Sequence, residues 1–114
     1  MAREASQFIY KLQFSQRIEE DDGFGNTIAG WHIEFDARCA VTPAKGSETV
    51  VAARLEGHMT INITIRNSAN ARRITSDWQA KDVRTGIVYQ IKSPPFPTDD
   101  RAYLRMIAMS GVTA

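Results

Sequence analysis

Apolar residues recur at every second position along most of this chain, the period of half-buried β-strands. In the first run Phe8, Tyr10, Leu12, Phe14 and Ile18 share one face, and Lys11, Gln13, Ser15 and Arg17 the other. The break at Asp21-Asp22-Gly23-Phe24-Gly25-Asn26 supplies residues that favour turns and predicts a flexible hairpin turn. A second run alternates through Trp31, Ile33, Phe35, Ala37, Cys39 and Val41, with His32, Glu34, Asp36 and Arg38 opposite. Pro43 has no N–H to donate and ends that ladder. A third run places Met59, Ile61, Ile63 and Ile65 inward and Thr60, Asn62, Thr64 and Arg66 outward. Residues 67–70 read as a loop. Residues 73–83 and 87–92 predict a hairpin around Arg84-Thr85-Gly86. Ser93-Pro94-Pro95-Phe96-Pro97 reads as an extended loop, and Asp99-Asp100 as a turn.

The last predicted strand, 102–109, is apolar on both faces. Ala102, Leu104, Met106 and Ala108 lie on one side and Tyr103, Ile107 and Met109 on the other, with Arg105 among them. Such a strand is central in the fold or lies at a subunit contact. Residues 46–56 are the one helix candidate. Ser47 is placed to cap it, Glu48 sits near its positive end, and Val50, Val51 and Leu55 form an apolar stripe. About three turns are marginal alone, so the segment needs a docking surface, or is a loop that orders against a neighbour. Six short strands predict an all-β fold, a small barrel or sandwich. The chain reads as one domain over residues 1–114, with 1–7 flexible and 43–57 an inserted helix or loop between strands two and three.

Length and composition agree. A chain of 114 residues suits one domain with a modest core. Hydrophobic residues at 43% and charged residues at 24% exclude a disordered chain. A net charge of +1 gives no global pull toward nucleic acid or membrane. The charge is uneven, however: residues 1–57 carry 6 basic and 9 acidic residues, and residues 58–114 carry 8 basic and 4 acidic. That polarity suits head-to-tail stacking of copies, and many soluble domains share it by chance. The single cysteine, Cys39, excludes an intrachain disulfide and fits a reducing cytoplasm. The first residues lack the apolar core of a signal peptide, and no run approaches the length of a membrane span.

Candidate chemistry is sparse. His32 and Asp36 lie near Cys39 in sequence, but strand alternation points them to the opposite face, so Cys39 reads as a core residue. Two histidines without a second cysteine or close spacing give no metal motif. Gly23-Phe24-Gly25-Asn26 lacks the third glycine and following helix of a phosphate loop. Phe8, Tyr10, Trp31 and Phe35 fall on apolar strand faces, which favours packing over stacking on bases. No catalytic, metal or cofactor set is expected, and the chain does not read as an enzyme. Arg72, Arg73, Arg84, Arg101 and Arg105 could form a basic rim or stand solvated.

The order and spacing of these landmarks resemble the head–tail joining, or head-closure, proteins of tailed bacteriophages. The first strand around residues 11–17 resembles the family's opening strand. The turn Asp22-Gly23-Phe24-Gly25-Asn26-Thr27 followed by Trp31 is similar to its Asp-x-x-Gly turn and tryptophan. Ala37-x-Cys39-x-Val41-x-Pro43-x-x-Gly46-x-Glu48 resembles its most recognisable stretch, which leads into the inserted segment. Gly86-Ile87-Val88-Tyr89-Gln90-Ile91 and Asp99-Asp100-Arg101-x-x-Leu104 resemble its closing hairpin arm and last turn. The proline-rich 93–97 loop and Asp77-Trp78 depart from the pattern.

The resemblance implies a β-barrel subunit of a six- or twelve-fold ring in the virion, made in the bacterial cytoplasm. As an adaptor or stopper, the ring would sit between portal or adaptor proteins and a tail-terminator or tail-tube protein, with double-stranded DNA passing through without sequence specificity. No membrane partner is implied. Under that reading Val50, Val51, Leu55, Tyr103, Ile107 and Met109 are interface candidates, and Arg72, Arg73 and Arg84 are candidates to face the DNA channel. The competing reading is a monomeric small barrel that binds nucleic acid or a peptide.

Overall fold

The computed structural model describes residues 8–44, 48–55 and 57–111, with the side chains of 48–50 and 53 left aside. The expected flexible lead (1–7) and the expected cap Ser47 lie outside the described residues. Within them the strands are β1 (Tyr10–Asp21), β2 (Thr27–Pro43), β3 (Thr60–Arg66), β4 (Trp78–Asp82), β5 (Val88–Ile91), β6 (Phe96–Pro97) and β7 (Tyr103–Ser110). One helix, α1 (Glu48–Leu55), is inserted between β2 and β3, as the sequence predicts, and a 3₁₀ turn covers Ala71–Arg73.

Every pairing is antiparallel. β1 lies between β2 and β4, β4 pairs with β5, β5 with β7, β7 with β3, and β3 with β2. The last two pairings close a ring of six strands, so the fold is a barrel, not a sandwich. Closure removes the open edges that a flat sheet would expose. β7 is therefore central: β3 runs along one edge, while β5 and then β6 share the other. The proline-rich segment makes the switch from β5 to β6. At the join Lys92 N–H donates to the Ile107 carbonyl at 2.8 Å, and the Ser93 hydroxyl oxygen accepts from Ile107 N–H at 3.0 Å. A side-chain hydroxyl thus supplies the acceptor for Ile107 N–H at this join. The two-residue β6 is the one strand that the sequence left as loop.

The barrel interior is filled by Leu12, Phe14, Cys39, Ile63, Trp78, Ile91 and Met106, all fully buried. Three local departures from strict alternation matter. Phe14 pairs with Phe35 but Ser15 pairs with Ile33, so Glu34 is an extra residue on β2, a β-bulge. A one-residue insertion flips every later side chain. Ile33 is consequently turned outward and 56% exposed, not inward beside Phe35. On β3, Ile61, Ile63 and Ile65 are buried as expected, but Met59 is exposed, and Thr60 and Thr64 are buried on the outer side. Those short side chains stand opposite Met109 and Arg105 of β7, whose longer stems shade them. Finally, residues 71–77 are a 3₁₀ turn and connection, so β4 begins at Trp78 rather than at 73.

Candidate functional site

Two parts of the chain stand away from the barrel, at opposite ends of β2. The first is an arm. β4 pairs with β1 only as far as Gln16, and β3 pairs with β2 only from Cys39 onward. Beyond them the pairs Arg17↔Trp31 to Asp21↔Thr27 form a two-stranded ribbon with no third strand among the described residues. Its apex is ordered by carboxylates. Asp21 accepts from Gly23 N–H at 2.9 Å, and Asp22 accepts from Phe24 N–H at 2.7 Å and Asn26 N–H at 3.2 Å. The Phe24 bond is the main reason that the Asp22 carboxyl is held below the ordinary carboxylate range. Gly23 and Gly25 adopt φ of 86° and 82°, which only glycine does without strain. The turn thus presents Phe24, 88% exposed, at its tip.

The second is α1, which leaves the other end of β2 and lies against β3. Val51 is exposed and Leu55 is 85% exposed. Val50 lies in the helix, but its side chain is outside the described residues. The other interface candidates line the outer face of β7. Tyr103 is half-buried and stacks on Phe8 with ring centroids 5.2 Å apart, Ile107 is exposed, and Met109 is half-buried. The helix stripe and the β7 face are therefore separate patches joined through β3.

The three channel candidates do not share one rim. Arg72 is exposed and donates to Asn67 Oδ1 at 2.8 Å. Arg73 donates to Glu34 Oε1 at 2.7 Å and lies 5.7 Å above the Trp78 ring. Arg84 sits in the β4–β5 turn, a full strand away, where Asp82 accepts its backbone N–H at 2.9 Å.

Arg73 belongs to a cluster that sequence distance hid. The bulge residue Glu34 also accepts from His32 Nδ1 at 2.6 Å. Beneath it Phe35 stacks on Phe14 and tilts against Trp78. The ion pair fastens the 3₁₀ turn over the stretch of β2 that β3 no longer covers. The hydrogen bond from His32, then that from Arg73, holds the Glu34 carboxyl below its ordinary value of 4.5. A carboxylate whose folded value is depressed contributes stability above the unfolded value and loses it as pH falls through the folded one. Glu34→Gln is therefore expected to lower the urea midpoint at neutral pH. The gap from wild type should close progressively as pH falls below about 4.5. A gap that persists unchanged through full protonation of the carboxylates would refute the ionic role.

Cys39 is fully buried, and burial pushes its thiol up to about 12, so it holds no thiolate at neutral pH. The bulge corrects one step of the alternation argument: His32 and Asp36 do not share a face, because Glu34 intervenes between them. Asp36 instead lies 4.0 Å from Lys11 on the barrel exterior. Among the described residues, no group of three or more His, Cys, Asp or Glu could hold a metal ion. Among them, too, no helix is long and apolar enough to cross a membrane.

A small closed barrel with exposed apolar projections offers surfaces on which other proteins can dock. The family model described as phage head completion protein matches residues 3–111, and the chain belongs to that family, whose members are structural proteins of phage virions. Two solved structures share the fold. Protein SF1141 from Shigella flexneri 2a is 18% identical, with a TM-score of 0.72, over 98% of this chain and 100% of its own. A chain of the virion of a native gene transfer agent particle is 18% identical, with a TM-score of 0.60, over 91% of this chain and 94% of its own. Comparison with the curated proteins gives no match.

Proposed function

We propose that this chain is a connector subunit that closes the DNA-filled head and joins it to the tail. Copies form a ring around the DNA path, with portal or adaptor proteins on one side and a tail-terminator or tail-tube protein on the other. The observation that carries the reading is the head-completion family match across residues 3–111. Its support in the fold is the placement of α1 and the arm at opposite ends of β2, which gives a single subunit two separate surfaces for neighbours. A protein of this kind acts by ordering and contact, and DNA passes without sequence-specific grip, since tight phosphate binding would oppose its passage.

The test is completion in vitro. Particles made without this chain are expected to accumulate as tailless heads by electron microscopy, and the purified protein should restore tail attachment. Tailed, infectious particles from a strain lacking the chain would overturn the proposal.

A further inference from the structure

The arm is left unexplained by barrel folding. A two-stranded ribbon is marginal alone in water, and among the described residues this one has both edges unpaired beyond Arg17 and Trp31. Among the described residues its faces are open: Glu19, Glu20, Asp21, Thr27, Ile28, Ala29 and Gly30 are all exposed. It carries four consecutive carboxylates, Glu19 to Asp22, around an apolar tip at Phe24 with Ile28 beside it.

The outer wall formed by β3, β7 and β6 has the opposite character. Arg66 stands across from Tyr103, Arg105 stands between Thr64 and Phe96, and Arg38 lies one residue beyond the last β2–β3 pair. All three arginines are exposed, and among the described residues none is in an ion pair. No Asp or Glu occupies any position of β3, β6 or β7. Apolar surface accompanies the charge: Phe96 is 76% exposed and Ile107 42%. An acidic ribbon with an aromatic tip thus matches a basic wall that bears an exposed aromatic, and both belong to one chain.

We infer that the arm of one copy lies on the β3–β7–β6 wall of the next copy, with one of Glu19 and Glu20, which point to opposite faces of the ribbon, toward Arg66 and Arg105 and Phe24 beside Phe96. The partner is a second copy of this chain, and the contact rests on the connector reading above. Such a contact is heterologous, one patch on a different patch, and this is the kind that closes a ring. Electrostatic complementarity of this sort fixes register and rejects wrong partners, since like charges brought together are strongly unfavourable.

Charge exchange tests it. Glu19→Lys with Glu20→Lys reverses the arm, and Arg66→Glu with Arg105→Glu reverses the wall. All four positions are exposed, and circular dichroism verifies that each variant is folded. Each pair alone is expected to lower tail joining to heads that lack the chain by at least about tenfold. All four changes in one chain should recover most of that loss. In completed particles, a chain carrying both Phe24→Cys and Phe96→Cys should give a ladder of chain multiples with a short bis-maleimide, while buried Cys39 stays silent. Wild-type completion that neither reversal alters, or an arm that cross-links only to another virion protein, overturns the contact and leaves the connector reading standing. Failure of the wild-type chain to complete heads at all overturns the connector reading, and this contact with it.

Discussion

Trp78→Ala is expected to lower the unfolding free energy by about 3–5 kcal/mol, the range for removing a large aromatic from a packed core. Trp78 is 2% exposed and is the largest side chain of the interior. It fills one end of the barrel, with Phe35 at 6.2 Å and the Arg73 guanidinium above its ring. Phe35 in turn stacks on Phe14 at 5.1 Å, so truncation removes one of the two rings that hold Phe35 in place. A domain of this size has a total stability of about 5–15 kcal/mol, so this one change removes a third or more of it in most of that range. Urea unfolding should give a lower midpoint with an unchanged slope, because the surface exposed on unfolding is nearly the same. Trp31→Ala is the internal comparison. Trp31 is half-buried at the root of the arm, outside the closed barrel, and its loss should be clearly smaller. Equal effects of the two changes would refute the assignment of Trp78 as the plug.

The contrast between the two tryptophans marks what the sequence can and cannot say. β3 was legible because Ile61, Ile63 and Ile65 alternate without interruption and are all inward. Trp31 and Ile33 belong to an equally clean alternation, yet the bulge at Glu34 turns both away from the barrel face. A bulge leaves no mark in the hydrophobic pattern, because the inserted residue is itself polar and the period on each side is intact. The bulged residue is held from 39 residues away, by the Arg73 guanidinium that donates to Glu34. The arm was hidden for a related reason. Glu19 to Asp22 and Thr27 to Gly30 have no apolar alternation, because neither face is buried within the chain. The ladder there is a backbone property, extended from the pairing below it. Barrel closure was left open for the same reason, since the β3–β7 pairing depends on register and not on composition. The helix was legible from Glu48 and the apolar stripe, and the exposure of Val51 and Leu55 fits a stripe whose partner lies outside the barrel.

That exposure makes the second large prediction. Val51→Asp with Leu55→Asp should leave the isolated chain folded and abolish tail joining. Neither side chain contributes to the barrel interior, and surface changes of this kind stay within about 0.5 kcal/mol each. A carboxylate near the last turn of α1 opposes the helix dipole by about 0.3–1 kcal/mol, which can loosen the helix but not the barrel. In an assembled junction the balance is different. Burying a Val and a Leu contributes about 1.5–3 kcal/mol each, and charged replacements add the unfavourable desolvation of unpaired carboxylates. A loss of about 3–6 kcal/mol is a factor of roughly 10²–10⁴ in an association constant. Tail joining in the completion assay should fall by that order, with urea unfolding of the free chain nearly unchanged. Leu55→Met, which keeps the apolar volume, should join tails normally. This outcome also separates α1 from the arm, since reversing Glu19 and Glu20 acts through salt-sensitive pairing, whereas the loss at Val51 and Leu55 should persist at every ionic strength. Should the double variant join tails as the wild type does while remaining folded, α1 is not a joining surface, and its apolar stripe would need another partner.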